Sequence, residues 1–212
     1  MKTSSRIHLL LTAAMVLVVL SAPPAHSTTM LPQNVVDLIS LSQRILVGEV
    51  VGLSDGIGAD NLPYTEVTLH VEDSILGDPG STYTFRQFGL LKALDLPNGK
   101  TNLMVSPDGW PKFRQGEEVM VFLYEPGSVS GLQTTVGLLQ GKFGIMNGEI
   151  VNDIQNQNLF NKVQFDMASM TASERKLVGQ RAGALPADEF ISLVRKAVQE
   201  NWIEQGRMIH AN

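Results

Sequence analysis

Residues 66–72 read Glu-Val-Thr-Leu-His-Val-Glu, and this stretch decides the fold class. Its apolar side chains, Val67, Leu69 and Val71, alternate with polar ones, which is the period of two that a half-buried β-strand shows. Other elements must cover the apolar face of such a strand. We therefore predict a sheet built around this stretch.

Further strands are predicted on both sides of it. Short stretches that alternate in polarity, or that are rich in β-branched residues, favour strands. By these criteria we expect strands at 45–51, 83–88, 119–124, 132–139, 142–145 and 149–151. The 119–124 stretch is apolar on both parities, which is typical of a central strand covered on both faces. Asn147-Gly148 indicates a tight hairpin turn before the last strand.

Helices are expected at the periphery of the sheet. Residues 32–42 have apolar side chains at helical spacing, with a proline in the first turn. Ser173-Glu174 could open a second short helix. From Pro186 onward, one helical face carries Phe190, Leu193, Val194, Ala197, Val198 and Trp202. Its polar face mixes both charges, so we interpret this last helix as one that packs on the sheet rather than on a membrane or partner.

The order of these elements predicts a mainly β protein with peripheral helices. A small closed or partly open β-barrel fits best, because closure removes the exposed edges of a sheet with few strands. A β-sandwich is the alternative. We assign residues 28–150 to the β-barrel domain. Residues 151–212 form a C-terminal extension that ends in the amphipathic helix packed on the barrel.

The N-terminus has the three parts of a secretory signal peptide. Two basic residues precede an apolar run at 9–20, and residues 25–27, Ala-His-Ser, place small side chains at the cleavage positions. The run is shorter than the roughly 20 apolar residues that a bilayer core requires. We expect residues 1–27 to be removed by cleavage near Ser27. The mature chain, which has no membrane span, is then exported to the periplasm or the extracellular space.

The mature chain is acidic and has no cysteine. The full sequence has 16 Lys and Arg against 21 Asp and Glu, and removal of the leader leaves 14 against 21. Clustered basic side chains drive binding to phosphate backbones, so this balance argues against nucleic acid as a partner. The lack of cysteine excludes thiol catalysis, cysteine-ligated zinc and iron–sulfur clusters. We predict no cofactor.

The histidines offer little for catalysis. His8 and His26 lie in the leader, His210 is third from the C-terminus, and His70 is on the polar parity of its predicted strand. No His-Glu-x-x-His motif occurs. We assign no catalytic residue. A secreted hydrolase with an unrecognised site near His70 is the alternative function.

Asp55 and Asp60 flank a glycine-rich turn, and such turns can bind calcium through their oxygens. Their spacing differs from that of the twelve-residue calcium loop. Asx turns account for the same residues without a metal ion. We therefore predict no metal site.

The long segment 89–116 is the candidate partner-binding region, because loops of this length are commonly functional. Its apolar side chains are Leu90, Leu91, Leu94, Leu96, Leu103, Met104, Trp110 and Phe113. Trp110, Lys112, Phe113 and Arg114 are the candidate contact residues, since tryptophan and arginine often anchor interfaces. The alternative is that residues 90–96 form a short helix capping the barrel, while Trp110 and Phe113 complete the core.

Three motifs carry a resemblance to a known group of proteins. The first is Leu-Val-Gly-Glu-Val at residues 46–50. The second is Trp-Pro-Lys-Phe at 110–113 with Gly-Glu-Glu-Val-Met-Val-Phe-Leu at 116–123. The third is Gln-Gly-Lys-Phe-Gly-Ile at 140–145. Over about residues 31–150, the chain resembles uncharacterised secreted bacterial proteins. Their barrel is akin to the OB-fold and to the netrin-like domain of tissue inhibitors of metalloproteinases.

This resemblance implies a similar barrel and brings no catalytic residues. The metalloproteinase inhibitors use an N-terminal cysteine at the protease metal, which this chain lacks. The same inhibitory mechanism is therefore not implied. Taken together, the sequence predicts an exported, non-catalytic binding domain that contacts a protein or an envelope component, with an exported protease among the candidate partners.

Overall fold

A computed structural model describes residues 31–96, 98–102 and 104–211. The signal peptide predicted at 1–27 lies outside these ranges, so its cleavage near Ser27 stays a prediction. Of the helices in the described ranges, none combines the length and the apolar character of a membrane-crossing segment.

Antiparallel β-structure dominates the described chain. Its strands are β1 (Arg44–Ile57), β2 (Pro63–Leu76), β3 (Thr82–Phe88), β4 (Leu94–Asp95), β5 (Thr101–Asn102), β6 (Glu118–Leu123), β7 (Lys142–Met146), β8 (Glu149–Asn152), β9 (Val163–Phe165), β10 (Leu185–Pro186) and β11 (Met208–His210). Seven of them form one sheet in the order β10-β8-β7-β6-β1-β2-β3. The predicted mainly β class is confirmed, with 37% strand and 16% helix, and the structure shows one large antiparallel sheet.

Strands β1 and β2 form a long hairpin of 14 residues each. The sequence predicts a polar turn at 54–61, but β1 continues to Ile57. Asp55 pairs with Thr65 and Gly56 with Tyr64. The hydrogen-bonded pairing of β1 with β2 therefore extends beyond the buried part of β1, and polar side chains occupy the exposed end of the hairpin. This extension brings Asp55 to the start of the 89–116 segment.

Three α-helices occur in the described chain: α1 (Val35–Ser40), α2 (Ala172–Val178) and α3 (Ala187–Gln199). Helix α1 is shorter than the predicted 32–42 because Asn34 is its N-cap and accepts from the backbone N–H groups of Val36 and Asp37. Helix α2 begins after Thr171, which makes a capping box with Glu174. Helix α3 buries the predicted apolar face, including Phe190 and Leu193.

Strand β6 is buried on both faces, as its sequence predicts. Met120 and Phe122 face the core beneath the helices, together with residues of α1 and α3. Val119, Val121 and Leu123 face a second cluster, which we call the strand core. The strand core consists of Leu46, Val50, Val67, Leu69, Phe85, Phe113, Val119, Val121 and Leu123.

The predicted strand at 132–139 is not a regular strand. Single bridges join Thr135 to Leu123 in the antiparallel sense and Leu132 to Arg86 in the parallel sense. A 3-10 helix then forms at Leu138–Gln140. The chain turns there because Gly141 packs against the Val136 backbone, where any Cβ would lie 2.2 Å from the Val136 carbonyl oxygen. In the described residues, no continuous ladder joins the two ends of the seven-stranded sheet.

Candidate binding cleft

Residues 90–92 and 104–106 of the 89–116 segment lie side by side, and we call residues 90–106 the ribbon. The described residues of the segment contain no helix. The Leu90 N–H donates to the Met104 carbonyl at 3.0 Å, and the Ser106 N–H donates to the Leu90 carbonyl at 2.9 Å. Strands β4 and β5 form a small hairpin between these contacts. The prediction of a helix at 90–96 is therefore wrong, because the backbone N–H and carbonyl of Leu90 form hydrogen bonds with Met104 and Ser106 rather than within a helical turn.

Asp55 fixes the start of this ribbon. Its Oδ1 accepts from the backbone N–H of Leu91 at 2.9 Å and from the Thr65 hydroxyl at 3.0 Å. Its Oδ2 accepts from the Leu91 and Lys92 N–H groups at 3.1 and 3.2 Å. Asp60 accepts only from the Leu62 N–H, at 3.1 Å, among the described residues. The two acidic residues of the glycine-rich turn thus have separate local roles.

A cleft of about 430 Å³ lies between this ribbon and the ends of β2 and β3. Its apolar lining consists of Leu90, Leu91, Val105, Pro111 and Phe113. Its polar lining consists of Thr65, Gln87, Ser106, Asp108, Lys112 and Arg114. Ligand sites usually have about 300–1,000 Å³, so this cleft has the size of a binding site, and its lining combines apolar and polar side chains.

Three of the four predicted contact residues line the cleft. Phe113 is only 5% exposed and belongs to the strand core, whereas Lys112 and Arg114 on either side of it are exposed. Trp110 is outside the cleft lining and half-buried, with its ring centroid 5.9 Å from that of Phe88. Phe113 therefore completes the core, and Trp110 covers the end of β3.

Lys112 and Arg114 extend charged groups that have no partner inside the described chain. Neither side chain makes an ion pair or hydrogen bond with any described residue; the backbone N–H of Arg114 donates to Glu117 at 3.1 Å. Asp108 is the one acidic residue of the lining and is likewise exposed. The cleft thus carries two cations and one carboxylate, in a chain whose formal net charge is −5.

Gln87 is a wall residue that the sequence does not single out. Its side chain is 2% exposed, its Nε2 donates to the Pro111 carbonyl at 2.9 Å, and its Oε1 is buried with no partner among the described residues. Gln87 and Thr65 are opposite each other on β3 and β2, and both are on the buried parity of their strands. A polar residue at an otherwise apolar parity is the sequence signal that points to them.

A buried ion pair lies next to Phe113, outside the cleft lining. Lys142, 3% exposed, donates to one carboxylate oxygen of Glu117, and the other oxygen accepts the Arg114 N–H. The Lys142 ammonium lies 5.4 Å from the centroid of the Phe113 ring. Removing one member of a buried pair leaves an uncompensated charge, which costs about 3–5 kcal/mol. Through Glu117, the turn at 114–117 is linked to Lys142 of β7.

The structure places His70 away from the cleft. His70 is exposed on β2, and its side chain makes no hydrogen bond or ion pair with any described residue. It is five residues along β2 from Thr65, roughly 16 Å at the rise of an extended strand. His210 contacts Asn34 and Asp37 at 3.3 Å each.

Comparisons of the chain with protein-family models, curated proteins and solved structures give no match. The likeness to secreted bacterial proteins with an OB or netrin-like barrel therefore stays a prediction. Within the described ranges, no group of three or more His, Asp or Glu side chains is arranged to hold a metal ion. The cleft is the feature on which a functional proposal rests.

Proposed function

We propose that the mature chain is an exported, non-catalytic binding domain, and that it contacts a protein or an envelope component through the cleft. An exported protease is one candidate partner. The observation that carries this proposal is the cleft's apolar rim: Leu91, Met104 and Val105 are 48%, 51% and 49% exposed around a cavity of about 430 Å³.

Clustered exposure of large apolar side chains supports a contact surface. Single exposed apolar residues are common on soluble proteins, but groups of them beside a groove mark interaction sites. Leu91 and Val105 are on the two adjacent segments of the ribbon, because the Ser106 N–H, next to Val105, donates to the carbonyl of Leu90, next to Leu91. The rim is therefore one continuous surface.

The anchoring of the cleft supports binding with little rearrangement. Asp55 holds the Leu91 and Lys92 amides, and Phe113 is locked between Phe85 and Lys142. A preformed site avoids the entropy cost of ordering loops on association.

A partly open barrel is the finer architecture that we infer for residues 28–150. The Gln133 N–H donates to the Arg86 carbonyl of β3 at 2.8 Å, and the Tyr124 N–H donates to the Thr134 carbonyl at 3.1 Å. These bonds link the β3 edge to the chain beyond β6. The strand core, drawn from β1, β2, β3 and β6, is the interior that such a barrel would enclose.

Capture of the partner by matched variants tests this function. The protein is expressed with its own leader, purified after export, immobilised and exposed to culture fluid and envelope fractions of the producing organism. Val105→Glu places a charge on the rim, whereas Val129→Glu places the same charge on a side chain that is 97% exposed and outside the cleft lining. We expect a partner that the wild type and Val129→Glu retain and Val105→Glu loses. Equal retention by all three, or no retained partner, contradicts the proposal.

A further inference from the structure

We infer that the ligand of the cleft is a protein segment that carries an apolar side chain next to a carboxylate. The apolar side chain enters the cleft over Phe113, and the carboxylate binds Lys112 and Arg114. This inference rests on the proposed function and adds the chemistry of the ligand.

The charge of the cleft is opposite to that of the chain. Lys112 and Arg114 flank the buried Phe113 and line the same cavity, with only Asp108 against them. The chain as a whole has 21 acidic against 16 basic residues, whereas the cleft lining has two basic residues against one acidic residue. A guanidinium binds a carboxylate through two parallel hydrogen bonds and an ammonium binds it as a point charge, so both lining cations favour a ligand with a carboxylate.

The apolar part of the cleft sets the second requirement. Leu90 and Phe113, 1% and 5% exposed, form a wall of fixed position, and Val105 and Leu91 continue it to the surface. Burial of an aliphatic or aromatic side chain there removes apolar area from water, which favours binding. A ligand with a charge alone would leave this wall uncovered.

The extent of the rim favours a protein segment over a small amphiphile. Met104 is half-exposed on the ribbon but is not part of the cavity lining, so the apolar surface continues beyond the cavity. A small carboxylate would fill the cavity and leave this extension bare. An extended peptide covers both, with one side chain in the cavity and its neighbours on the rim.

Peptide selection on the exported protein tests the inference. A random dodecapeptide phage library is selected on the wild type after depletion on Val105→Glu. Enriched peptides are synthesised with a fluorophore, and their affinity is measured by anisotropy. The double variant Lys112→Glu/Arg114→Glu is compared with Lys176→Glu/Arg181→Glu, which makes the same charge change at exposed side chains outside the cleft.

We expect enriched peptides to pair an apolar residue with Asp or Glu. The cleft double variant should bind them about tenfold more weakly, since two attractions become repulsions. The control double variant should bind within about twofold of the wild type, and affinity should fall with added salt.

Three results would overturn the inference. Peptides that lack acidic residues and bind the cleft double variant normally would keep the binding function but remove its carboxylate specificity. Sodium dodecanoate that binds the cleft while no peptide is enriched would identify a small carboxylate as the ligand. Absence of any cleft-dependent peptide would exclude a linear segment, and the capture experiment would then decide the binding function separately.

Discussion

Phe113 meets Phe85 edge to face, with ring centroids 5.6 Å apart and ring planes at 77°. One side of Phe113 thus closes the strand core, and the same residue lines the cleft. Folding and binding therefore share this residue. Tests of binding must use residues of the rim, while Phe113 itself reports on stability.

Replacing Phe113 with alanine should lower the free energy of unfolding by about 3 kcal/mol, because a buried aromatic side chain leaves a cavity. Leu91→Ala is the matched control at a rim position that is 48% exposed, and it should change stability by no more than about 0.5 kcal/mol. Urea unfolding followed by circular dichroism measures both. Equal losses would show that Phe113 is not part of the core.

The two tryptophans should differ sharply in their contributions. Trp202 is 1% exposed in the core beneath the helices, so Trp202→Ala should cost about 3–5 kcal/mol. Trp110 is half-buried against Phe88, so Trp110→Ala should cost about 1 kcal/mol, the scale of one aromatic pair. Thermal unfolding of the two variants measures the difference. A loss at Trp110 as large as that at Trp202 would mean that Trp110 is a core residue.

Removal of the Asp55 carboxylate should loosen the start of the ribbon. In Asp55→Ala the N–H groups of Leu91 and Lys92 lose their acceptor, so the exposed Lys92 should become a faster site of tryptic cleavage. Asp60→Ala removes a neighbouring carboxylate that holds only the Leu62 N–H and should cleave at the wild-type rate. Limited proteolysis with mass spectrometry follows the 92–93 bond. An unchanged rate in Asp55→Ala would contradict the anchoring role.

Stability should fall at low pH through the Asp73–Arg195 pair, which joins β2 to α3. Hydrogen bonding from Arg195 lowers the pKa of Asp73 below its ordinary 3.8. A lowered carboxyl pKa stabilises the fold above the unfolded pKa, and this contribution is lost as the pH falls through the folded value. Arg195→Gln should therefore cost about 1 kcal/mol at pH 7, a surface-pair value, and almost nothing near pH 2.

Urea unfolding of the wild type and Arg195→Gln across pH 2–7 measures this difference. Lys176→Gln removes an exposed cation from α2 and should keep the wild-type pH profile. A constant difference between Arg195→Gln and the wild type at all pH values would show that the ion pair is not its source.

The sequence predicts the elements whose burial follows a simple period. The alternation at Val67 and Leu69, the doubly apolar β6 and the apolar face of α3 all correspond to buried faces. In each case, one local pattern is enough because the covering elements are long and regular. The predicted helix at 32–42 differs only in length, since its true N-cap, Asn34, is two residues inside the predicted range.

Local pattern fails where contacts between backbone groups, rather than a period of apolar side chains, set the conformation. The ribbon depends on bonds between Leu90 and Met104, residues with no shared periodicity. The break near residue 138 depends on the close approach of Gly141 to Val136. Neither contact can be read from the sequence around either residue.

The candidate site is predictable in the same partial way. Composition of the long loop points to Lys112, Phe113 and Arg114, which line the cleft, and also to Trp110, which does not. Gln87 belongs to β3 and is 24 residues from its partner Pro111 in sequence. Its place in the wall follows from the β2–β3 register and the contact with Pro111, which only the folded chain brings together.

Site-specific photo-crosslinking tests the central claim, that the partner contacts the cleft, most directly. A benzophenone amino acid is placed at Leu91 on the rim or at Val129 outside the cleft, in the chain expressed with its own leader, and cells are irradiated. We predict a crosslinked partner from position 91 and none from position 129. Crosslinks from position 129 with none from position 91 would contradict the account.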